Sequence, residues 1–324
     1  MEILILGGAG FIGTNLIQNL IEFPNQYSIS ALDIKNGHFG RSIFEDSKIN
    51  FFLGSINDQE LLKKIVIGKD IIINLAAQTS HTLPSKFPLE NTEANINGNL
   101  CVLEAIRHHN PGCKYIYVST SSVVGKSNSE YIDESHSKWA LDLYSVSKGA
   151  AENFCFSYAH SYGLKILVVR FPNIYGPYGH NDPSYGVINY FLNQALAGKA
   201  LTIYGTGEQK RSVLFVDDAI DSLKSLFFCD DLYDGFPVFV ASNKHYSIKE
   251  IAMTISEKFG CSSPKFISWP EDRKSIEIGD VQILCSRLKD YISWSPKYGL
   301  EKGIRESAKR MRYIESNLNT EERI

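Results

Sequence analysis

Short apolar runs alternate with segments of helical period along the first half of the chain. Apolar residues at helical spacing separate strand-like runs rich in Ile, Val and Leu. The predicted strands are Ile3–Leu6, Ser28–Leu32, Asn50–Leu53, Asp70–Leu75, Tyr115–Ser119 and Lys165–Arg170. The predicted helices are Thr14–Glu22, Asp58–Ile67, Leu89–His109 and Trp139–Ser161. Near-continuous apolar strands alternating with helices indicate an α/β fold with a doubly wound parallel sheet covered on both faces.

The pattern changes after Phe171. A loop rich in Pro, Gly, Tyr and Asn is followed by shorter, mixed elements. They are a helix near Tyr185–Ala197, a strand at Leu201–Tyr204, a helix near Ser247–Phe259 and a charged amphipathic tail over Glu301–Ile324. Ser212–Asp218 and the helix after it indicate a return to the first domain. We therefore predict one domain of residues 1–172 plus about 212–242, and a smaller mixed α/β domain of residues 173–211 and 243–324.

Composition narrows the possible partners and the compartment. The 324 residues carry a net charge of −3, which argues against nucleic acid or an anionic membrane as partner. No apolar stretch approaches the roughly 20 residues of a membrane span. The six cysteines form no C-x-x-C pair, so we expect free thiols and no metal site. These features predict a cytoplasmic protein.

A glycine-rich turn joins the first strand to the first helix. Gly7, Gly10 and Gly13 form a G-x-x-G-x-x-G pattern that includes Phe11 and Ile12. Glycines allow a tight turn and the close approach of a pyrophosphate, and the following helix N-terminus favours that anion. The order of strand, turn and helix therefore predicts a Rossmann-type dinucleotide site.

Two acidic residues follow at positions that can reach the adenosine half of a dinucleotide. Asp33 ends the second strand, where a carboxylate binds ribose hydroxyls and repels a 2′-phosphate, so NAD is favoured over NADP. Lys35 and Arg41 lie nearby and leave that preference open. Asp58, close to Ile56, is either a helix N-cap or an adenine contact.

Tyr144 and Lys148 stand four residues apart on a predicted helix and therefore share one face. An ammonium beside a phenol is expected to lower the pKa of the phenol and make it an acid and base near neutral pH. The hydroxyl-rich segment Ser119–Ser122 follows a strand, at the edge where such sheets bind ligands. The spacing alone also suits a partly exposed helix pair.

These motifs occur together in one order. They are Gly7–Gly13, Leu75–Gln78, Ser119–Gly125, Tyr144–Lys148 and Arg170–Pro177. The combination resembles the extended short-chain dehydrogenases, and more narrowly the NAD-dependent epimerase/dehydratase family of nucleotide-sugar enzymes. The resemblance runs along nearly the whole chain.

The resemblance implies roles for matching residues. Tyr144 would be the acid and base, Lys148 would bind the nicotinamide ribose, and Thr120 would contact the sugar O4. The other implied cofactor contacts are Ile56, Leu75, Ala76, Ala77, Asn95, Ser119, Pro172 and Ile174.

The resemblance also implies a site for a nucleotide-diphosphate sugar. Arg211 and Arg273 would clamp the diphosphate; the alternative for each is a surface charge. The remaining implied contacts are Ser80, His81, Ser121, Asn173, Val187 and Ile203. A direct role for His81 competes with a structural one. Family members usually form homodimers, here through Leu89–His109 and Trp139–Ser161.

Departures from the family pattern bear on the reaction. Ser121 and Ser122 stand where family 4,6-dehydratases carry an Asp-Glu pair, and the glutamate of the decarboxylases is absent too. We therefore expect hydride transfer at C4 by an NAD-dependent epimerase of a UDP-hexose. An NAD(P)H-dependent 4-ketoreductase, for example of a dTDP-4-keto-6-deoxyhexose, uses the same residues. A dinucleotide-binding regulator without activity is a third reading.

Overall fold

The computed structural model describes residues 1–35, 48–82 and 86–321. The strands are β1 Glu2–Leu6, β2 Ser28–Asp33, β3 Ile49–Leu53, β4 Ile71–Asn74, β5 Lys114–Thr120, β6 Lys165–Phe171, β7 Asn173–Tyr175, β8 Thr202–Tyr204, β9 Lys210–Phe215, β10 Asp234–Phe239, β11 His245–Ser247 and β12 Lys265–Ile267. The α-helices are α1 Phe11–Leu20, α2 Gln59–Ile65, α3 Pro88–Thr92, α4 Gly98–His109, α5 Leu143–Tyr162, α6 Val187–Leu196, α7 Val216–Leu226, α8 Ile248–Phe259, α9 Glu271–Lys274, α10 Leu288–Tyr291 and α11 Leu300–Glu321.

Seven parallel strands form the main sheet in the order β10-β6-β5-β4-β1-β2-β3. The predicted doubly wound sheet is therefore confirmed, and each of its six predicted strands is present. The seventh strand, β10, was not predicted, because Gly235 and Pro237 interrupt its apolar pattern. Its register shifts between Asp234 and Pro237, and it lies at the sheet edge, where a proline is tolerated.

Alternate residues of each strand enter different cores on the two faces of the sheet. In β1, Ile3 and Ile5 belong to one apolar cluster, whereas Leu4 and Leu6 belong to another. All four side chains are fully buried. Burial on both faces explains why the strand is continuously apolar instead of alternating with polar residues.

Two predicted helices differ from the structure. The helix expected from Trp139 begins at Leu143, because Asp142 caps it by accepting a bond from the Ser145 amide at 2.9 Å. The helix expected over Leu89–His109 contains a π-helical turn, Glu93–Asn97, in which the Gly98 amide bonds to the Glu93 carbonyl five residues earlier.

The second half of the chain builds smaller sheets beside the main one. Strands β7, β9 and β11 form one, and β8 and β12 form another. Helix α7 packs against α1, and β10 joins the main sheet, while β9 belongs to a smaller sheet. The domain boundaries stay a prediction.

All six cysteines are free thiols. Within the described ranges, every helix is too short or too polar to cross a bilayer.

Candidate active site

A cavity of about 530 Å³ opens where the strands of the main sheet end. That volume falls in the range of small-molecule and cofactor sites. The cavity brings together most of the predicted site residues. They are Gly7, Gly10, Phe11, Ile12, Gly13, Asp33, Ile56, Leu75, Ala76, Ala77, His81, Ser119, Thr120, Tyr144, Lys148, Pro172, Asn173, Ile174 and Val187.

The glycine-rich turn is held tightly at one end of the cavity. Gly7 has φ of +82° and donates its amide to the Leu32 carbonyl at 2.8 Å. A Cβ on Gly13 would lie 2.3 Å from the Gly7 carbonyl oxygen, so only glycine fits there. Helix α1 begins directly after Gly10, with no side chain capping its first amides. Free amides of a helix N-terminus at the wall of a cavity suit the pyrophosphate of a dinucleotide.

Asp33 lies beside this turn at the end of β2. Its carboxylate accepts bonds from the Ala9 amide at 2.9 Å and the Lys35 amide at 3.2 Å. Burial raises its pKa, and these amide bonds oppose the rise. Asp58 serves as the N-cap of α2, accepting a bond from the Leu61 amide at 3.0 Å. Asp58 is not among the described lining residues, and Arg41 lies outside the described part of the chain.

Tyr144 and Lys148 are both buried in the middle of the cavity wall. The Lys148 ammonium lies 4.1 Å from the centre of the Tyr117 ring. Burial raises the pKa of Tyr144 and the charge of Asp142 adds to the rise, whereas the neighbouring Thr120 hydroxyl, which can bond the phenolate, opposes it. Burial also lowers the pKa of Lys148 to about 7. The predicted lowering of the Tyr144 pKa is therefore wrong for the protein alone, because burial disfavours both charged forms.

A buried ion pair that was not predicted from the sequence lies next to this wall and bonds its residue Ser119. Glu152 accepts two bonds from Arg170, at 3.0 and 2.7 Å, and one from the Ser119 hydroxyl at 2.6 Å. Both charged side chains are almost inaccessible, at 3% and 2% exposed. One signal was present: Glu152 follows Lys148 by four residues, so it shares the face of α5 that carries Tyr144.

His81 and Asp142 form a second pair that packs on the catalytic tyrosine candidate. The His81 Nδ1 lies 3.2 Å from an Asp142 carboxylate oxygen. The His81 and Tyr144 rings meet edge to face, 4.9 Å apart. Asp142 was not predicted as a site residue, because it lay inside a predicted helix.

Comparison with known proteins shows to which family the chain belongs. Residues 3–226 match the NAD dependent epimerase/dehydratase family. The chain belongs to this family. The resemblance found from the motifs is confirmed, and so is NAD as the cofactor of the family.

Individual family members cover almost the whole chain. A UDP-N-acetyl-alpha-D-glucosaminuronate decarboxylase of Bacillus cytotoxicus is 29% identical and covers 97% of this chain and 98% of its own. The UDP-glucose 4-epimerase of Thermotoga maritima, solved with UDP-glucose, has a TM-score of 0.85 at 26% identity, covering 97% and 99%. The UDP-glucuronic acid 4-epimerase of Bacillus cereus, solved with UDP-glucuronic acid and NAD, has a TM-score of 0.84 at 25% identity, covering 97% and 100%.

Several positions that family resemblance assigned to cofactor or substrate do not line the cavity. Ile203 is 1% exposed and belongs to the apolar core, and Ser80 is fully buried behind the wall. Ser121 begins a 3-10 turn next to Thr120. Asn95 supports the site indirectly: it bonds both the amide and the carbonyl of Gln78 and reaches Ser147 on α5 at 2.9 Å.

The two predicted clamp arginines are also outside the described lining. Arg211 is bound by Glu277 at 2.6 Å and by the Gly279 and Lys210 carbonyls. Arg273, on the short helix α9, donates to the Pro183 carbonyl at 3.4 Å. A role for either arginine toward a diphosphate stays a prediction, and for Arg211 it requires competition with Glu277.

Proposed function

We propose that this protein is an NAD-dependent 4-epimerase of a UDP-hexose. One observation carries the proposal: the cavity combines Tyr144 and Thr120 with a glycine turn, and Asp33 is the single carboxylate among its described lining residues. Asp33 lies at the opposite, adenosine-binding end. Elimination by an acidic pair and decarboxylation with a glutamate next to Thr120 are therefore not supported, whereas hydride transfer at an alcohol carbon needs a tyrosine, a hydroxyl and the nicotinamide. The UDP-sugars bound to the related epimerases support the substrate class.

The residues divide the work in a simple way. The glycine turn and the N-terminus of α1 would hold the pyrophosphate of NAD, and Asp33 would bind the adenosine ribose. Bound NAD⁺ supplies a hydride acceptor at the sugar carbon. Tyr144 takes the proton of the O4 hydroxyl and later returns it, while Thr120 bonds the same oxygen. Lys148, close to half protonated near pH 7, supplies positive charge that favours the phenolate.

A 4-ketoreductase that uses the same residues once is the second candidate. Lys35 lines the cavity two residues after Asp33, where its ammonium can approach a 2′-phosphate. This position favours a protein that accepts NADPH from solution. An inactive regulator has no evident use for Tyr144, Thr120 and Lys148 in one cavity.

Turnover of a panel of UDP-, dTDP- and GDP-sugars tests these functions. Wild type is expected to interconvert C4 epimers and to carry bound NAD, which mass spectrometry of the released cofactor would show. Tyr144→Phe is expected to lose about 10²- to 10⁴-fold in kcat. Equal rates for the two proteins contradict the mechanism, and consumption of added NADPH with a 4-keto sugar favours the reductase. No turnover of any sugar favours the regulator.

We also propose a homodimer that pairs α3 and α5 of two copies. These helices contact each other and expose large apolar side chains, including Leu89 at 83%, Val146 at 49% and Leu143 at 43%. Apolar side chains grouped on neighbouring helices are typical of a protein–protein interface. Sedimentation of wild type and Leu89→Glu tests the proposal, with a dimer expected only for wild type. A monomeric wild type contradicts it.

A further inference from the structure

A continuous chain of hydroxyls leads away from Tyr144. Thr120, whose hydroxyl can bond the Tyr144 phenolate, lies 3.0 Å from the Ser122 hydroxyl oxygen. Ser122 lies 2.7 Å from Ser145 Oγ, and Ser145 donates in turn to an Asp142 carboxylate oxygen at 2.7 Å. Each hydroxyl can accept one proton while it donates another. We call Thr120, Ser122 and Ser145 the hydroxyl chain.

The far end of the hydroxyl chain returns to the cavity through His81. The carboxylate oxygen that accepts from Ser145 also faces His81 Nδ1, at 3.2 Å. The Asp142 side chain is only 9% exposed. The His81 side chain is 32% exposed and lines the cavity. The path therefore begins at a buried phenol and ends at an imidazole that water can reach.

The charges around this path suit proton movement. Burial pushes the pKa of Asp142 upward, but the bond and charge of His81 and the Ser145 bonds more than offset it, so that pKa lies below its usual range. Asp142 and Tyr144 face His81 from the start of α5. The His81 amide donates to the Ser184 carbonyl. Close to it, Asp182 accepts bonds from the Ser184 amide and hydroxyl, and the charges of Arg273 and His180 also help to lower the Asp182 pKa.

We propose that the hydroxyl chain and Asp142 form a proton relay between Tyr144 and His81, and that His81 exchanges the proton with water. The inference rests on the proposed function for the role of Tyr144. It adds a route by which the tyrosine exchanges its proton with solvent while the sugar covers it. A single oxidation or reduction requires such a route, whereas an epimerisation can return the same proton.

The step balances in the direction of reduction. Tyr144 would give its proton to the sugar oxygen, and a bound reduced nicotinamide would supply the hydride for the carbon. The phenolate takes a proton from Thr120, Thr120 takes one from Ser122, and Ser122 takes one from Ser145. Asp142 receives the Nδ1 proton of His81 and passes it to Ser145, so the carboxylate ends ionised as it began. His81 Nε2 takes a proton from water, which leaves as hydroxide. Oxidation runs the same steps in reverse.

The pairing can be measured in the free protein, without substrate or turnover. Because the Asp142 carboxylate accepts from Nδ1, ¹⁵N NMR of the histidine side chains should show His81 protonated at Nδ1. In Asp142→Asn, the oxygen that caps α5 can stay in place and the amide nitrogen then faces His81. The His81 proton should move to Nε2. His81→Gln assigns the signal. An unchanged tautomer in Asp142→Asn overturns the pairing.

The relay itself is measured by stopped flow with a pH-indicator dye. Nicotinamide absorbance reports hydride transfer, and the dye reports proton exchange with solvent. In wild type the two should coincide during the half-reaction. In Ser122→Ala the hydride step should keep its rate because Tyr144 uses its own proton, while solvent proton exchange lags by about tenfold or more.

His81→Gln should show the same lag, and the double variant should add nothing to it, because both changes interrupt one path. His180→Gln is the matched control: this second cavity histidine stacks on Tyr185, 4.3 Å away, apart from the hydroxyl chain, and should show no lag. Coincident proton and hydride signals in Ser122→Ala overturn the relay. If wild type turns over no sugar, the proposed function fails, while the NMR result still decides the pairing.

Discussion

The two ends of the proposed site are built in different ways: the cofactor end, at the glycine turn, and the substrate end, at Arg211 and Arg273. At the cofactor end, Asp33 bonds the glycine turn, and Glu152, Arg170 and Ser119 below Tyr144 are buried and bonded to one another. At the substrate end, the two predicted clamp arginines are partly exposed, and Arg211 is held by Glu277. The difference suggests that the cofactor end is rigid before any ligand binds, whereas the substrate end must exchange internal bonds for ligand bonds. We therefore expect substitutions at the cofactor end to lower the stability of the protein more than substitutions at the substrate end.

The largest effect is expected from Glu152→Ala, below the cavity wall that carries Tyr144. The change leaves the buried Arg170 guanidinium without its counter-ion, which typically costs about 3–5 kcal/mol. Urea unfolding measures the loss, and Glu152→Gln, which keeps hydrogen-bonding atoms, should lose less. A loss below about 1 kcal/mol in Glu152→Ala would break the contrast between the two ends.

The next effect is expected at the glycine turn. In Gly13→Ala the new methyl would meet two backbone oxygens, 2.3 Å and 2.7 Å away, and backbone cannot move aside cheaply. We expect a loss of about 1–3 kcal/mol and loss of NAD binding by calorimetry. Gly10→Ala is the matched control for stability, because its nearest contact is 3.3 Å. Equal stability of the two variants would show that the turn is not rigid.

A pH-dependent effect sharpens the comparison further. The pKa of Lys148 is about 7 in the folded protein, against 10.5 in an exposed lysine. Between those values the unfolded chain binds the additional proton, so the stability of the free protein should rise with pH from about 7 to 10.5. The slope for one group is at most about 1.4 kcal/mol per pH unit. Denaturation across this range should show the slope in wild type and a smaller one in Lys148→Met.

The smallest stability effect is expected at the substrate end. In Glu277→Gln the side-chain oxygen can still accept the bonds from Arg211 and the Gly279 amide, so the change should cost about 1 kcal/mol. Loss of the negative charge weakens the hold on Arg211 and should lower KM for a UDP-sugar several-fold, whereas Arg211→Ala should raise KM. A large loss of stability in Glu277→Gln, or an unchanged KM in both variants, would remove the distinction between the ends.

Much of the cofactor end could be predicted because it depends on short-range patterns. The spacing of Gly7, Gly10 and Gly13 and the strand before them determine the turn by themselves. Tyr144 and Lys148 are four residues apart on one helix, so their joint position in the cavity followed as well. Their pKa values could not be predicted from spacing, because burial in the folded protein raises the pKa of Tyr144 and lowers that of Lys148.

The substrate end and the supports depend on contacts between distant parts of the chain. Glu277 lies 66 residues after Arg211, and Asp142 lies 61 residues after His81, so neither pairing is visible as a local motif. Ile203 matched a family position by sequence, yet its strand turns the side chain into the core. One local signal was overlooked: an aspartate three residues before Ser145 is a typical helix cap, and it separates Trp139 from the helix.

The π-helical turn at Glu93–Asn97 makes the position of the site depend on the number of residues as well as on their identity. Each residue of an α-helix turns the chain by about 100°. Deleting one residue there would allow regular α-helical bonding and would rotate Asn95 away from Gln78 and Ser147 relative to α4, without altering any side chain that lines the cavity. A gap placed in this segment of an alignment would therefore mark a change in the geometry of the wall, even where every catalytic residue matches.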